Sequence, residues 1–224
     1  MAPPPFVKAV AYAAYEGRIK EAIHALKYGR LRPAARTLGK MLAEAIAKLA
    51  GEAPAEMLVI PVPLHRAKLA QRGFNQARLL AREALGFLGN SNPEWRLELA
   101  ASTLMRLRAT ESQAGLTPRQ RRLNVRGAFS VSDPSKIKMR HVLLVDDILT
   151  TGATARSAAQ ALLDAGAASV WVATLARAQR ESGRRFFDLD AEHNQGLAGA
   201  TPDAARRAEG LGTQSSNLWN QPSF

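Results

Sequence analysis

Residues 142–154 read Val142-Leu-Leu-Val-Asp-Asp-Ile-Leu-Thr-Thr-Gly-Ala-Thr154. The apolar run Val142 to Val145 is too short and too β-branched to favour a helix, and it predicts a buried strand of a parallel sheet. Asp146 and Asp147 follow at once. The small residues Thr150, Thr151, Gly152, Ala153 and Thr154 then predict a turn, with a helix starting near Ala155. In open α/β sheets, ligands sit beyond the carboxyl ends of strands, where loops meet helix N-termini. Free N–H groups at a helix start, three threonine hydroxyls and a glycine with no Cβ in the way make an anion cradle suited to phosphate. Two carboxylates cannot bind that phosphate. They suit a sugar diol, or a divalent cation held directly or through water. A lone Asp-Asp pair is most often a helix cap, but the complete run places a phosphate seat beside a polyol or metal seat.

The bulk composition sets the frame for this motif. A chain of 224 residues with 46% hydrophobic content predicts one α/β domain with a substantial core. No stretch approaches the roughly 18 apolar residues that cross a bilayer, and the N-terminus lacks the charged-then-apolar order of a signal peptide. Membrane insertion is therefore not expected, and a cytoplasmic location is. With no cysteine, disulfides, thiolate zinc sites and thiol nucleophiles are excluded. The net charge of +12 is unevenly spread. Residues 1–177 hold 26 Lys+Arg against 13 Asp+Glu, and residues 178–224 hold 5 against 6. A basic domain favours anionic partners, polyphosphates and nucleic acid among them. A general preference for arginine over lysine would raise the charge equally well.

Around the motif, hydrophobic spacing predicts helices over 16–28 and 33–50, a strand over 57–63 and a helix from Asn75 to about Leu85, with a linker at 86–93. Further strands are predicted at 97–105, 128–131 and 169–175, and the motif helix ends at Gly166. Strands alternating with helices indicate a mostly parallel sheet with crossover helices. The domain organisation reads as a helical N-terminal hood over 1–55, a core over 56–177 and a disordered tail over 178–224.

Two more segments could carry chemistry. The basic loop 64–74 also follows a strand and precedes a helix. Arg66, Lys68 and Arg72 supply cations there, and Asn75 can cap the helix. Residues 106–126 hold six arginines against the single acid Glu111, without clear strand character, which suggests a cationic lid. Lys27, at the end of the first helix, could reach a phosphate, but a cation there is favourable without any ligand. Trp95 and Trp171 lie in or near apolar runs and read as core.

Several of these residues carry a resemblance. The apolar strand, acidic pair and Thr-Thr-Gly-x-Thr resemble the phosphoribosyl pyrophosphate (PRPP) motif of type I phosphoribosyltransferases. Tyr15-Glu-Gly17, Leu26-Lys-Tyr28, Pro61-Val-Pro-Leu64, Arg72-Gly-Phe-Asn-Gln76, Gln113, Arg119, Arg122-x-Asn124-Val125 and Phe129, in this order, are similar to the ComF (competence protein F) branch. The similarity covers roughly residues 15–177. Members of that branch commonly begin with a four-cysteine zinc segment, which this sequence lacks.

The resemblance implies a Rossmann-like type I phosphoribosyltransferase fold and binding of PRPP with Mg2+. It implies the 5-phosphate on Thr150, Thr151, Gly152, Ala153 and Thr154, and the ribose hydroxyls and the metal, directly or through water, on Asp146 and Asp147. Pyrophosphate falls to Pro63, Arg66, Arg72 and Asn75, and the flexible loop to Arg108, Gln113, Arg119 and Arg122. The implied reaction transfers the phosphoribosyl group to an unidentified acceptor. A non-catalytic protein binding PRPP or single-stranded DNA in competence is the alternative, and a homodimer is compatible with either.

Overall fold

The computed structural model describes residues 3–28, 32–108 and 127–178. The predicted strands at 57–63, 142–145 and 169–175 and the first part of 97–105 fall in one parallel sheet, joined by a strand at residues 9–14. Its members are β1 (Ala9–Ala14), β2 (Glu56–Pro61), β3 (Arg96–Leu99), β6 (His141–Leu149) and β7 (Ser169–Arg177), in the order β1-β7-β6-β2-β3. A separate antiparallel pair, β4 (Leu104–Arg106) with β5 (Phe129–Val131), lies outside that sheet. The helices are α1 (Gly17–Lys27), α2 (Ala35–Ala47), α3 (Arg66–Arg72), α4 (Gln76–Ser91) and α5 (Ala153–Asp164). This is the α/β fold of type I phosphoribosyltransferases.

Side-chain alternation along β6 decides how the two faces are covered. Leu143 and Val145 enter one core with Ile23 and Leu26 of α1, Leu42 and Ile46 of α2, and Leu80 and Leu88 of α4. Val142 and Leu144 enter the other core, with Ala155, Ala158 and Leu162 of α5 and with Phe129 of β5. Because β6 is buried on both faces, its sequence is a continuous apolar run rather than an alternation.

Several elements depart from the sequence reading. Residues 9–14 form the edge strand β1 beside β7, so the N-terminal segment contributes to the sheet as well as two helices. The segment 97–105, read as one strand, breaks at Ala100 and its two halves enter different sheets. The loop 64–74 contains α3, capped by His65 Nδ1, which accepts from Ala67 N–H, and closed by Gly73. The region 86–93, read as a linker, continues α4 through Ser91. Gly86 and Gly89 lower helical propensity there, but Leu88 is 2% exposed, and burying it outweighs their cost. Residues 109–126 and 179–224, which include the rest of the proposed lid and nearly all of the tail, lie outside the described residues.

The helices α2 and α4 pack closely because small residues face each other. Ala35, Gly39 and Ala43 of α2 are buried, as are Ala77, Ala81 and Ala84 of α4. A Cβ built at Gly39 would overlap Glu83 Cβ and lie 3.2 Å from the Ala84 backbone nitrogen. A Cβ at Gly86 meets nothing within 4 Å. The same substitution should therefore have opposite signs at the two sites. Gly39→Ala is expected to destabilise by about 1–3 kcal/mol through overpacking, and Gly86→Ala to stabilise by about 0.5–1 kcal/mol through backbone entropy. Urea unfolding of both variants checks this.

Candidate functional site

The direction in which the chain crosses the sheet reverses between β2 and β6. From β2 it passes through α4 to β3, and from β6 through α5 to β7 on the other side. The carboxyl ends of these two adjacent strands therefore flank a topological switch point, where ligands of open α/β sheets bind. Both segments singled out from the sequence start there: residues 62–75 after β2 and the turn after β6. One backbone bond holds the first segment to β6, and one side-chain bond closes that segment on itself. Val62 N–H donates to Val145 O at 2.8 Å, and Asn75 Nδ2 donates to Val62 O at 3.0 Å.

The turn is built around Gly152, the N-cap of α5, at φ 73° and ψ 5°. Side chains rarely adopt that left-handed conformation, and glycine does so without strain. Gly152 offers no side-chain acceptor to the first turn of α5, which also contains no acidic residue. The Ala153 N–H makes a long bond of 3.4 Å to Thr151 Oγ1. An uncapped helix start of this kind attracts anions. Thr150 is exposed, while Thr151, Gly152 and Thr154 are half-buried. With Asp146 and Thr174, residues of this turn line a cleft whose floor measures about 10 Å³, room for one water-sized group.

Alternation along β6 separates the two carboxylates. Asp146 faces the cleft and the turn. Asp147 faces the helices of the opposite side, is 5% exposed, and has its Oδ2 2.9 Å from Lys27 Nζ. The backbone links the two acids, since Asp147 N–H donates to Asp146 Oδ1 at 2.8 Å. Burial, and next the Asp147 charge, push the Asp146 carboxyl well above the usual carboxylate range, with Lys27 pulling the other way.

Lys27 and Arg106 lie within reach of the acids, and Lys68 and Arg72 of α3 join them in one group of cations. Burial lowers the Lys68 ammonium from its ordinary value, and so do the charges of Arg106, Arg72 and Lys27. Arg106 of β4 stacks over Phe129 of β5, its guanidinium carbon 5.3 Å from the ring centroid. Burial lowers it too, opposed by the charge of Asp146. Among the pyrophosphate candidates, Arg72 Nη1 donates to Gln76 Oε1 at 2.6 Å. Asn75 Oδ1 accepts from the Ala77 and Arg78 amides, so its side chain is engaged in capping α4. Pro63 is half-buried at the end of β2, and Arg66 is exposed at the start of α3. Arg108 is exposed, and Gln113, Arg119 and Arg122 lie outside the described residues.

These positions bear on the metal and on what sequence reasoning missed. Among the described residues, no three of His, Cys, Asp or Glu form a cluster that could hold a metal ion. The donors fit Mg2+ held by one carboxylate, Asp146, with ligand oxygens completing the shell, a common arrangement for that ion. They do not fit a cation clasped by both acids. Lys68 and Arg106, read from sequence as cations of the basic loop and of the arginine-rich segment, join the site, and so does Lys27. The signal was present for Lys27, one turn beyond the buried Ile23 and next to the buried Leu26, but a helix-end cation has a simpler explanation.

An all-parallel sheet of this order, with an acidic strand end and a glycine-threonine turn at its switch point, defines an α/β protein of the type I phosphoribosyltransferase class. Residues 69–191 match the phosphoribosyl transferase domain. The chain is 33% identical over 177 residues to the DNA utilization protein YhgH of Salmonella typhi, covering 78% of this chain and 74% of that protein. It is 34% identical over 146 residues to competence protein F of Haemophilus influenzae, covering 64% and 61%. It is 36% identical over 121 residues to competence protein ComFC of Bacillus subtilis, covering 54% and 44%. Among solved structures, a hypoxanthine-guanine-xanthine phosphoribosyltransferase aligns with a TM-score of 0.37 and 16% identity over 70% of this chain and 71% of that one. The chain belongs to the phosphoribosyl transferase domain family, in its ComF branch.

The raised Asp146 pKa has a stability consequence. Between the ordinary carboxylate range and the raised folded value, the folded state binds more protons than the unfolded one, so stability falls as pH rises through that window. Asp146→Asn removes this penalty and keeps the acceptor for Asp147 N–H. The variant should melt higher than wild type at pH 7–8, with the gain vanishing below about pH 3.5, where the acid is protonated in both states. Thermal melts across pH check this.

Proposed function

We propose that this protein binds PRPP with Mg2+ and transfers the phosphoribosyl group to an acceptor, releasing pyrophosphate. The observation that carries the reading is the cleft between β6, β7 and the start of α5, lined by Asp146 together with Thr150, Gly152 and Thr154 of the turn. The 5-phosphate would seat on the α5 N-terminus and the threonine hydroxyls. Asp146 would accept from the ribose diol through the oxygen not engaged by Asp147 N–H, with Asp147 completing the acidic pair behind it. Asp146 would hold Mg2+, which when bound would supply positive charge against the leaving group.

In the transfer, the C1–O bond to pyrophosphate breaks and a bond from C1 to the acceptor forms, through a transition state of oxocarbenium character. The chain's task is then to place charge on the departing pyrophosphate. Arg66, Arg72 and Lys68 are suited to that, with Arg106 beside them and the basic segment that includes Arg108, Gln113, Arg119 and Arg122. Such chemistry needs orientation more than a strong base.

A second reading is binding of single-stranded DNA in competence. The names of the relatives, DNA utilization protein and competence protein, favour it, as does the basic charge of residues 1–177. Trp95 and Trp171 are 9% and 6% exposed, so neither offers a stacking platform, and binding would rest on phosphate contacts. It should weaken steeply with salt.

Calorimetric titration tests the first reading. Wild type should bind Mg–PRPP, and Asp146→Asn should weaken that binding roughly 10- to 100-fold, the value of a hydrogen bond to a charged group. Unchanged affinity in a folded variant would refute the assignment of Asp146. Salt-sensitive DNA binding without PRPP binding would favour the second reading.

A further inference from the structure

We infer that Lys27 is a positioning residue for the acidic pair: by anchoring Asp147 from behind the sheet, it fixes the peptide that orients Asp146 toward the cleft. The inference rests on the sugar-phosphate reading for its ligand consequences, but the anchoring itself is a property of the empty protein.

The contacts run in series. Ile23 and Leu26, both 0% exposed, fix α1 against the sheet, which sets Lys27 at the helix end with its side chain 23% exposed. Its ammonium sits 2.9 Å from Asp147 Oδ2. The N–H of that same residue holds Asp146 Oδ1 at 2.8 Å. An ion pair on one side of β6 is thus connected through one peptide unit to the carboxylate on the other side. Arg106 of β4 also acts on Asp146, and the charges of Arg106, Arg72 and Lys27 act on Lys68 of α3. Lys27 is the cation in ion-pair contact with Asp147 among the described residues.

Removing one partner of a buried ion pair leaves the other charge uncompensated. Asp147 would then turn toward solvent or toward the α3 cations, twisting the peptide whose N–H holds Asp146. The loss should fall on ligands that need the acidic pair and spare those that need only cations. Ribose 5-phosphate and inorganic pyrophosphate separate these cases, because the first carries a diol and the second does not. A lysine that touched the polyanion directly would show the reverse pattern.

The test has two parts, both on the full chain. In the unliganded protein, Lys27→Met should speed amide exchange of Asp147 at least tenfold while leaving Leu143 and Val145 within twofold, and Lys27→Arg should restore slow exchange. Unaltered exchange at Asp147, or a general acceleration along β6, overturns the inference. In titrations, Lys27→Met and Asp147→Asn should each weaken ribose 5-phosphate binding about tenfold and leave pyrophosphate binding within twofold. The double variant, which buries no unpaired charge, should lose no more than either single one. Multiplying losses, or a loss on pyrophosphate alone, would make Lys27 an independent ligand and overturn the inference. If exchange responds as expected but wild type binds neither ribose 5-phosphate nor PRPP, the sugar-phosphate reading fails and the anchoring stands.

Discussion

A strand buried on both faces that ends in two adjacent carboxylates poses an electrostatic problem, and the rest of the site follows from how it is met. Two ionised acids in one low-dielectric place repel strongly, and burial disfavours charge on either. Strand alternation sends Asp146 to the cleft and Asp147 to the opposite core. Asp147 there meets an ammonium. Asp146 meets a backbone N–H and the field of nearby cations. The arrangement leaves Asp147 in an ion pair with Lys27, its buried Oδ2 without a hydrogen-bond donor among the described residues, and Asp146 at a raised pKa on the cleft side. Perturbed groups in clefts are a common mark of functional sites.

The cations mirror this division. Lys68, Arg72 and Arg106 come from α3 and from the small β4–β5 sheet, elements placed on the carboxyl side of the main sheet. Burial first, and then the neighbouring cations Arg106, Arg72 and Lys27, lower the Lys68 ammonium, so gathering like charges there carries a cost. A polyanion would relieve that repulsion. Buried acid and crowded base side by side form a polarised surface, and on the proposed reading its ligand would carry a neutral diol at one end and phosphates at the other. Neither group alone would choose such a molecule.

Most of the strands, the parallel sheet and the glycine-threonine turn were legible because they depend on local sequence: a β-branched run, a glycine that must take positive φ, threonines at fixed spacing. Helix α4 was read too short because propensity at Gly86 and Gly89 is a local quantity, whereas the burial of Leu88 is not. The edge strand Ala9–Ala14 carries no alternation that would mark it, and its pairing with β7 comes from tertiary contact. Asn75 was read as both a cap and a pyrophosphate ligand, and its side chain is engaged in the first of these. The partners of the acids were the hardest to see. Lys27 lies 120 residues from Asp147, and Arg106 lies 40 from Asp146, so only the folded sheet brings them together.

The split acidic pair also bears on why the site is not simply more stable. Filling the Asp146 position with a neutral isostere removes a buried charge at the cost of the acceptor that a diol requires, the usual exchange between stability and function. Asp147 escapes that exchange because Lys27 compensates it on the far face. Placing the compensation there has a geometric benefit: the cation that neutralises the pair does not occupy the cleft and does not compete with the ligand for Asp146. A lysine on the cleft side would satisfy the same charge and block the same site. The fold thus solves solvation of the acids and access to them on opposite sides of a single strand, which requires that strand to be central and covered by helices on both faces.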